Sequence, residues 1–127
     1  MAIPSGGGTE VLKRTVIKNL VAGWTYVDFA SATTTPGATT GEVATNHIIT
    51  ILNIIVMELV NATNGINIRY MATGSTDVDI VSQSIPNKGT FIFNDKIILH
   101  PTDELRLQAQ TANELAVVIN FIDQDWS

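Results

Sequence analysis

The fold of this chain is decided by the stretch Ile85-Pro-Asn-Lys-Gly89, Thr90-Phe-Ile-Phe-Asn-Asp-Lys-Ile-Ile-Leu99, His100-Pro-Thr-Asp-Glu-Leu-Arg-Leu107. Turn residues alternate there with short runs of β-branched and aromatic residues, and almost no chain is left over between them. This spacing is typical of antiparallel strands joined by tight turns. The stretch therefore predicts a compact all-β domain.

The same rhythm continues on both sides of this stretch. Apolar and polar residues alternate from Ile66 to Tyr70, as in a strand with one wet face. Asn64-Gly65 is the strongest short hairpin signal in the chain. About eight strands at a spacing of roughly 8 to 12 residues, without an amphipathic helix, predict a single-domain, jelly-roll-like antiparallel β-sandwich. We expect this domain to cover residues 10–127, after a flexible and extended N-terminal arm at residues 1–9.

Two strands depart from simple alternation. The segment from Asn46 to Val60 is apolar at almost every position, so we expect a strand with two apolar faces. One face belongs to the core, whereas the other needs cover from the long polar loop at residues 31–45, a second layer or another copy. Asp95 falls on the aromatic face of the strand from Thr90 to Leu99, which predicts a bulge or the end of the strand there.

Composition excludes several classes of function. Apolar residues make up 45% of the 127 residues and charged residues only 15%, a balance that favours an assembled protein. The net charge of -5 argues against binding to nucleic acid. No apolar run reaches the roughly 20 residues of a membrane helix, and the first residues lack the pattern of a secretion signal, so we expect a soluble protein without a membrane partner.

Side chains that could carry chemistry are sparse. The sequence has no cysteine and two histidines, His47 and His100. His100, Asp103 and Glu104 could hold a metal on a turn, although a solvated corner explains them more simply. No serine stands in a Gly-x-Ser-x-Gly elbow, and no phosphate-binding glycine motif is present. We therefore predict no catalytic residue, no metal, no cofactor and no enzymatic activity.

Partner contacts are predicted from the arm, from one face of the long apolar strand and from the two tryptophans. The arm can order on a neighbour, the second strand face needs cover, and tryptophan is enriched at the energetic centres of interfaces. The predicted contact residues are Ile3, Pro4, Gly6, Gly7, Gly8, Glu10, Ile49, Ile51, Ile55, Met57, Leu59, Trp24 and Trp126.

Four segments carry a resemblance to a known group of proteins. They are Met1-Ala-Ile-Pro-Ser-Gly-Gly-Gly-Thr-Glu-Val-Leu-Lys-Arg14, Asn46-His-Ile48, Gly89-Thr-Phe-Ile-Phe-Asn-Asp-Lys96 and Phe121-Ile-Asp-Gln-Asp-Trp126. The chain resembles small virion structural proteins of tailed bacteriophages, of the capsid decoration or cement type. The resemblance implies a homotrimer on the capsid surface, made in the host cytoplasm, which stabilises the head by bridging subunits of the major capsid protein.

Two other interpretations remain open at this point. A tail or fibre module would contact another tail protein or a host glycan, and it would expose aromatic residues such as Trp24 and Tyr26. An enzyme would need a cleft in which Asp95 or Asp103 meets a second carboxylate.

Overall fold

The computed structural model describes residues 9–60, 62–72 and 76–125, and the regular elements in these ranges are all β-strands. In chain order they are β1 (Thr9–Lys18), β2 (Thr25–Tyr26), β3 (His47–Glu58), β4 (Asn64–Ala72), β5 (Thr76–Ile85), β6 (Thr90–Phe93), β7 (Ile97–Leu99), β8 (Glu104–Ala109) and β9 (Leu115–Asp125). Within those ranges, no helix has the length and apolar character needed to cross a membrane.

The strands form two antiparallel sheets. The first sheet has the order β1-β9-β3-β6, and β7 also pairs with β3. The second has the order β2-β8-β4-β5. Because β6 and β7 pair with successive parts of β3, they act as one interrupted strand, which leaves four strand positions in each sheet. This order is that of a jelly roll, so the expected all-β sandwich is confirmed.

Strand β9 shows how the sequence builds the core. Its residues alternate between the interior and the outer surface, and Leu115, Val117, Ile119 and Phe121 all point inward and are fully buried. Phe121 meets Phe29 edge to face, with ring centroids 5.1 Å apart. The strand pairs with β1 on one side and with β3 on the other, so it lies inside the first sheet.

Both strands that depart from simple alternation in the sequence are irregular in the structure. In β3 the irregularity changes which side chains are buried. A register shift between Ile51 and Asn53 reverses the faces of the strand. Ile49 and Ile51 point inward before the shift, whereas Ile54 and Val56 point inward after it. The predicted break near Asp95 is confirmed, because β6 ends at Phe93, β7 begins at Ile97, and Asp95 is exposed between them.

The predicted hairpin at Asn64-Gly65 is wrong. These residues begin β4, in a different sheet from β3. The Asn64 side chain donates to the carbonyl of Thr111 (3.0 Å) and accepts from the Thr111 amide (2.9 Å), so it ties β4 to the β8–β9 connection. The hairpin lies one strand later, where Ala72 pairs with Thr76 across β4 and β5.

The polar loop at 31–45 covers a sheet edge and not the outer face of β3. The amide of Val16 donates to the carbonyl of Ala32 (3.1 Å), and the amide of Thr34 donates to the carbonyl of Val16 (2.9 Å). The hydroxyls of Thr15 and Thr34 are 2.8 Å apart and buried. The loop therefore protects β1, which would otherwise be an open edge. Thr9, assigned above to the arm, begins β1, and residues 1–8 lie outside the described part of the chain.

Glu58, the last residue of β3, generates a prediction about stability. Its side chain is only 2% exposed, and neither carboxylate oxygen has a hydrogen-bond partner among the described residues. Burying a polar group without a partner costs about 1–3 kcal/mol. We therefore expect Glu58→Met, which keeps the length of the side chain and removes its polar atoms, to raise the free energy of unfolding by about 1–2 kcal/mol in urea titrations.

The matched control is Glu10→Met, because Glu10 is exposed on β1. We expect that variant to leave the free energy of unfolding within about 0.5 kcal/mol of the parent. A Glu58→Met protein less stable than the parent would contradict the interpretation of Glu58 as an unsatisfied buried group.

Candidate functional site

The outward side chains of the first sheet form a surface that we call the outer apolar face. Its apolar members are Leu12, Val16, Ile48, Ile55, Met57, Ile92, Ile98, Val118 and Ile122. Leu12 is 72% exposed, Ile92 56% and Ile98 54%. Exposed apolar residues that stand singly are ordinary, but contiguous ones mark a site of interaction.

Strand register makes this face contiguous. Ile92, Ile55, Val118 and Val16 stand side by side on β6, β3, β9 and β1, and they form an apolar row across the whole sheet. A second row runs from Ile98 through Thr50 and Ile122 to Leu12. Side chains directly opposite each other on neighbouring strands are in contact distance, so each of the two rows is continuous across the sheet.

The polar side chains in the middle of this face are Thr50, within the second row, and a pair of asparagines. Between the two rows, the Asn120 side chain donates to that of Asn53 across β9 and β3 (2.7 Å). The charged side chains on the outer side of β1 are Glu10, Arg14 and Lys18, and β1 is the edge strand of this sheet. An uncharged centre with charges at the rim is the usual composition of a protein interface.

The structure separates the predicted contact residues of β3 into two groups. Ile55 and Met57 lie on the outer apolar face, and Leu59 is exposed just beyond the end of the strand. The prediction for Ile49 and Ile51 is wrong, because they are 1% and 0% exposed in the core. The register shift explains the error, since one extra residue moves every earlier side chain to the opposite face.

The remaining predicted contacts are dispersed. Glu10 is exposed on β1 and accepts from the side chain of Gln124 (3.2 Å). Trp24 is half-buried, with the guanidinium carbon of Arg69 4.2 Å from its ring centroid. The predicted residues outside the described part of the chain are Ile3, Pro4, Gly6, Gly7, Gly8 and Trp126.

Sequence reasoning missed Leu12, Ile92 and Ile98, which are among the most exposed residues of the outer apolar face. A signal for two of them was present, because Ile92 lies between Phe91 and Phe93 and therefore points away from the aromatic face. The same alternation places Ile98 outward. Only the pairing of β1 with β9 brings Leu12 to this surface.

One end of the sandwich holds a cluster of charged side chains on β1, β3 and β9. Asp123 is 5% exposed, and its two carboxylate oxygens lie 2.8 Å from Lys13 Nζ and 2.7 Å from His47 Nδ1. His47 Nε2 lies 3.6 Å from an oxygen of Asp125. The adjoining cavity, of about 150 Å³, has no Ser, Thr or Cys in its lining. The cluster therefore compensates a buried carboxylate and joins three strands, and the described cavity lining places no hydroxyl or thiol beside its histidine.

The His100 corner is a hydrogen-bonded turn. Asp103 accepts from the amide of His100 (2.9 Å) and from the hydroxyl of Tyr70 (2.5 Å). The guanidinium of Arg106 donates to Glu104 (2.9 Å from Nε). These contacts engage both carboxylates with protein groups. Across the ranges that the structure describes, no set of three or more His, Cys, Asp or Glu side chains is placed to hold a metal ion.

The contribution of this corner to the free energy of unfolding depends on pH through Tyr70. Burial and then the hydrogen bond to Asp103 raise the pKa of Tyr70 to about 12 from its ordinary value of 10.0. Because the folded state has the higher pKa, this contribution to stability is fully present below pH 10 and is lost as the pH rises through 12.

We expect Tyr70→Phe to lower the free energy of unfolding by about 1.5 kcal/mol at pH 7, since a hydrogen bond to a charged acceptor is lost. The difference between parent and variant should shrink between pH 10 and pH 12 in urea titrations. The sequence has two tyrosines, so the ultraviolet difference between parent and variant isolates the ionisation of Tyr70. A stability difference that stays constant up to pH 12 would show that the Tyr70 hydroxyl makes no such contribution.

Comparison with known proteins yields a fold and no family. No protein-family model matches the chain, and no curated protein matches it. A solved structure from Bacillus, described as endospore appendages that form a family of disulfide-linked pili, is 11% identical with a TM-score of 0.52. The match covers 100% of this chain and 97% of that one, so the two share a sandwich of the same extent.

A second structure is similar over part of its length. It holds the CBM22-1 and GH10 modules of Clostridium thermocellum endo-1,4-β-D-xylanase 10B in complex with xylohexaose, and it is 7% identical with a TM-score of 0.41. The match covers 95% of this chain but 26% of that one.

Proposed function

We propose that this chain is a structural protein of a phage virion, most specifically a capsid decoration protein. It assembles with copies of itself into a homotrimer and bridges neighbouring subunits of the major capsid protein. The observation that carries this proposal is the outer apolar face, because its apolar row crosses the whole first sheet and the described residues leave it uncovered.

A second copy is a suitable occupant of this face, because every copy carries the same unsatisfied surface. In a ring of three, the outer apolar face of each subunit packs against a different surface of its neighbour, so all three apolar faces are covered when the ring closes. The low charge of the chain supports permanent assembly, since little electrostatic repulsion has to be overcome. The trimeric state and the capsid partner come from the resemblance stated above.

The outer surface of the second sheet is polar, unlike that of the first, and this difference also supports the proposal. Its outward residues are polar or charged, as in Asn67, Arg69, Ser82 and Gln108. Such a surface is stable in water without a partner. A subunit with one apolar and one polar face suits a position on a shell, where the first face meets protein and the second meets solvent.

A second candidate is a subunit of a pilus-like filament. It is favoured by the likeness in fold, over the full extent of both chains, to a protein described as forming pili. This sequence has no cysteine, so it could not supply the disulfide linkage named for those pili. Electron microscopy of the purified protein separates the candidates, because discrete trimers support decoration and long filaments support a pilus.

Substitutions on the outer apolar face test the assembly. We expect the parent protein to sediment at three times the 13.7 kDa mass of the chain, and Ile92→Asp with Ile98→Asp to sediment as a monomer at micromolar concentration. The reason is that a carboxylate buried in an apolar interface without a partner removes several kcal/mol of binding free energy.

The matched control is Val78→Asp, because Val78 is similarly exposed (51%) but lies on β5 of the second sheet. We expect that variant to keep the mass of the parent assembly. A parent protein that is a stable monomer at micromolar concentration would exclude the interface.

Deletion of residues 1–8 tests the predicted capsid contact of the arm. We expect the shortened protein to unfold at the same urea concentration as the parent, because β1 begins at Thr9, and to bind isolated capsids more weakly. Co-sedimentation with capsids measures the binding. Undiminished binding by the shortened protein would exclude a role for the arm, and detection of the protein in purified tails but not heads would exclude the capsid assignment.

A further inference from the structure

We propose that the outer surface of the second sheet binds a neutral oligosaccharide. The site is a groove of about 490 Å³ over β4, β5 and β8, which we call the amide groove. The lining residues that the argument uses are Gly65, Asn67, Ser82, Ser84, Gln108 and Gln110. It lies on the opposite side of the sandwich from the outer apolar face, so the inference does not depend on the proposed assembly.

Strand register arranges the polar side chains of the groove in two rows. Ser82, Asn67 and Gln108 stand opposite one another on β5, β4 and β8. The next row contains Ser84 and Gly65, and the amide of Gln110 donates to the carbonyl of Gly65 (2.9 Å). Rows are about 7 Å apart and strands about 5 Å apart in a sheet, so the patch has the dimensions of a short oligosaccharide.

The chemistry of these groups complements hydroxyls. Amide side chains offer a donor and an acceptor together, and serine hydroxyls do both. The side-chain nitrogen of Asn67 donates to the side-chain oxygen Oε1 of Gln108 (3.2 Å), which leaves the side-chain oxygen of Asn67 and the side-chain nitrogen of Gln108 for a ligand. A sugar hydroxyl also donates and accepts, so it can satisfy both.

The lining contains no charged residue. Phosphate and sulfate groups are held in proteins by arginine, lysine or clustered backbone amides, so an uncharged groove selects against nucleic acid and acidic glycans. The apolar residues of the lining are Ala22, Ile66 and Ala109, of which Ile66 and Ala109 are buried, so the groove offers no large apolar centre to a protein partner. A neutral polyhydroxyl ligand is the class that remains.

Gly65 lies beneath the side chain of Gln110 in the second row. A Cβ atom at position 65 would lie 2.9 Å from the side-chain oxygen of Gln110, so a larger residue there would move the Gln110 amide.

Two aromatic rings lie beside the pair of Arg69 and Arg106, which is next to the pair of Asn67 and Gln108 on the same face. The guanidinium carbon of Arg69 lies 4.2 Å from the ring centroid of Trp24, and that of Arg106 lies 4.1 Å from the ring centroid of Tyr26. Asp79 holds Arg69 (2.6 Å from Nε), which fixes one of these stacked pairs. Both rings are half-buried, and each carries a guanidinium over one face, so these stacked pairs form the border of the groove beside the row of Asn67.

The first experiment is a glycan array of neutral, sialylated and sulfated glycans, which identifies the preferred linkage. The ¹⁵N-labelled full chain is then titrated with cellohexaose and with maltohexaose. We expect binding to neutral glycans, with shifts of the side-chain amide signals of Asn67, Gln108 and Gln110. Asn67→Ala and Gln108→Ala should each weaken binding about tenfold, because each removes hydrogen bonds to the ligand.

The matched control is Asn53→Ala, which removes an equivalent cross-strand amide pair from the first sheet and should leave sugar binding unchanged. Circular dichroism verifies that each variant is folded, and the test rests on Gln108→Ala alone if Asn67→Ala is not. Absence of binding to every neutral glycan, a preference for acidic glycans, or binding unaffected by both groove variants would overturn the proposal. Signals that shift with protein concentration alone would instead identify another copy in the groove and would overturn it as well.

Discussion

The pairing of β9 with β1 and β3 is the interaction on which the rest of the structure depends. β9 lies between two partners that are distant in sequence, and its inward residues from Leu115 to Phe121 supply the middle of the core. β1 has no other strand partner among the described residues and is held on its free side by the loop that contains Thr34. The first sheet is therefore complete only when the last strand is in place, and such long-range closure is a slow folding step.

Side chains alternate between inner and outer positions in both sheets, but the outer surfaces of the two sheets differ in polarity. In the first sheet, isoleucine, valine and leucine occupy both the inner and the outer positions of β1, β3 and β9. In the second, the inner positions of β4 and β8 are apolar except at Asn64, whereas the outer ones carry amides and arginines. The sandwich consequently has one surface that water disfavours and one that water accepts. An assembly role and a ligand role can therefore occupy separate sides of one small domain.

Local alternation was enough to predict most strands, the sandwich and the break at Asp95, because each depends on neighbouring residues. It failed where one residue changes the register, as between Ile51 and Asn53, since a single shift exchanges the inner and outer faces. It also failed at Asn64, whose turn-like sequence serves a contact with Thr111. Local alternation could point to single members of the outer apolar face, such as Ile55 and Ile92. The extent of that face, the groove and the pair of His47 with Asp123 join positions far apart in the chain, so local patterns did not reveal them.

The register of β1 with β9 has a practical consequence for the ends of the described chain. Thr9 stands directly opposite Asp125, so the chain enters and leaves the sandwich at one corner, beside the buried carboxylate of Asp123. A peptide fused before Thr9 and one fused after Asp125 would leave the domain from neighbouring points. A short linker between the two positions would close the chain into a ring, and the strand connections at the opposite end would then be available as new termini.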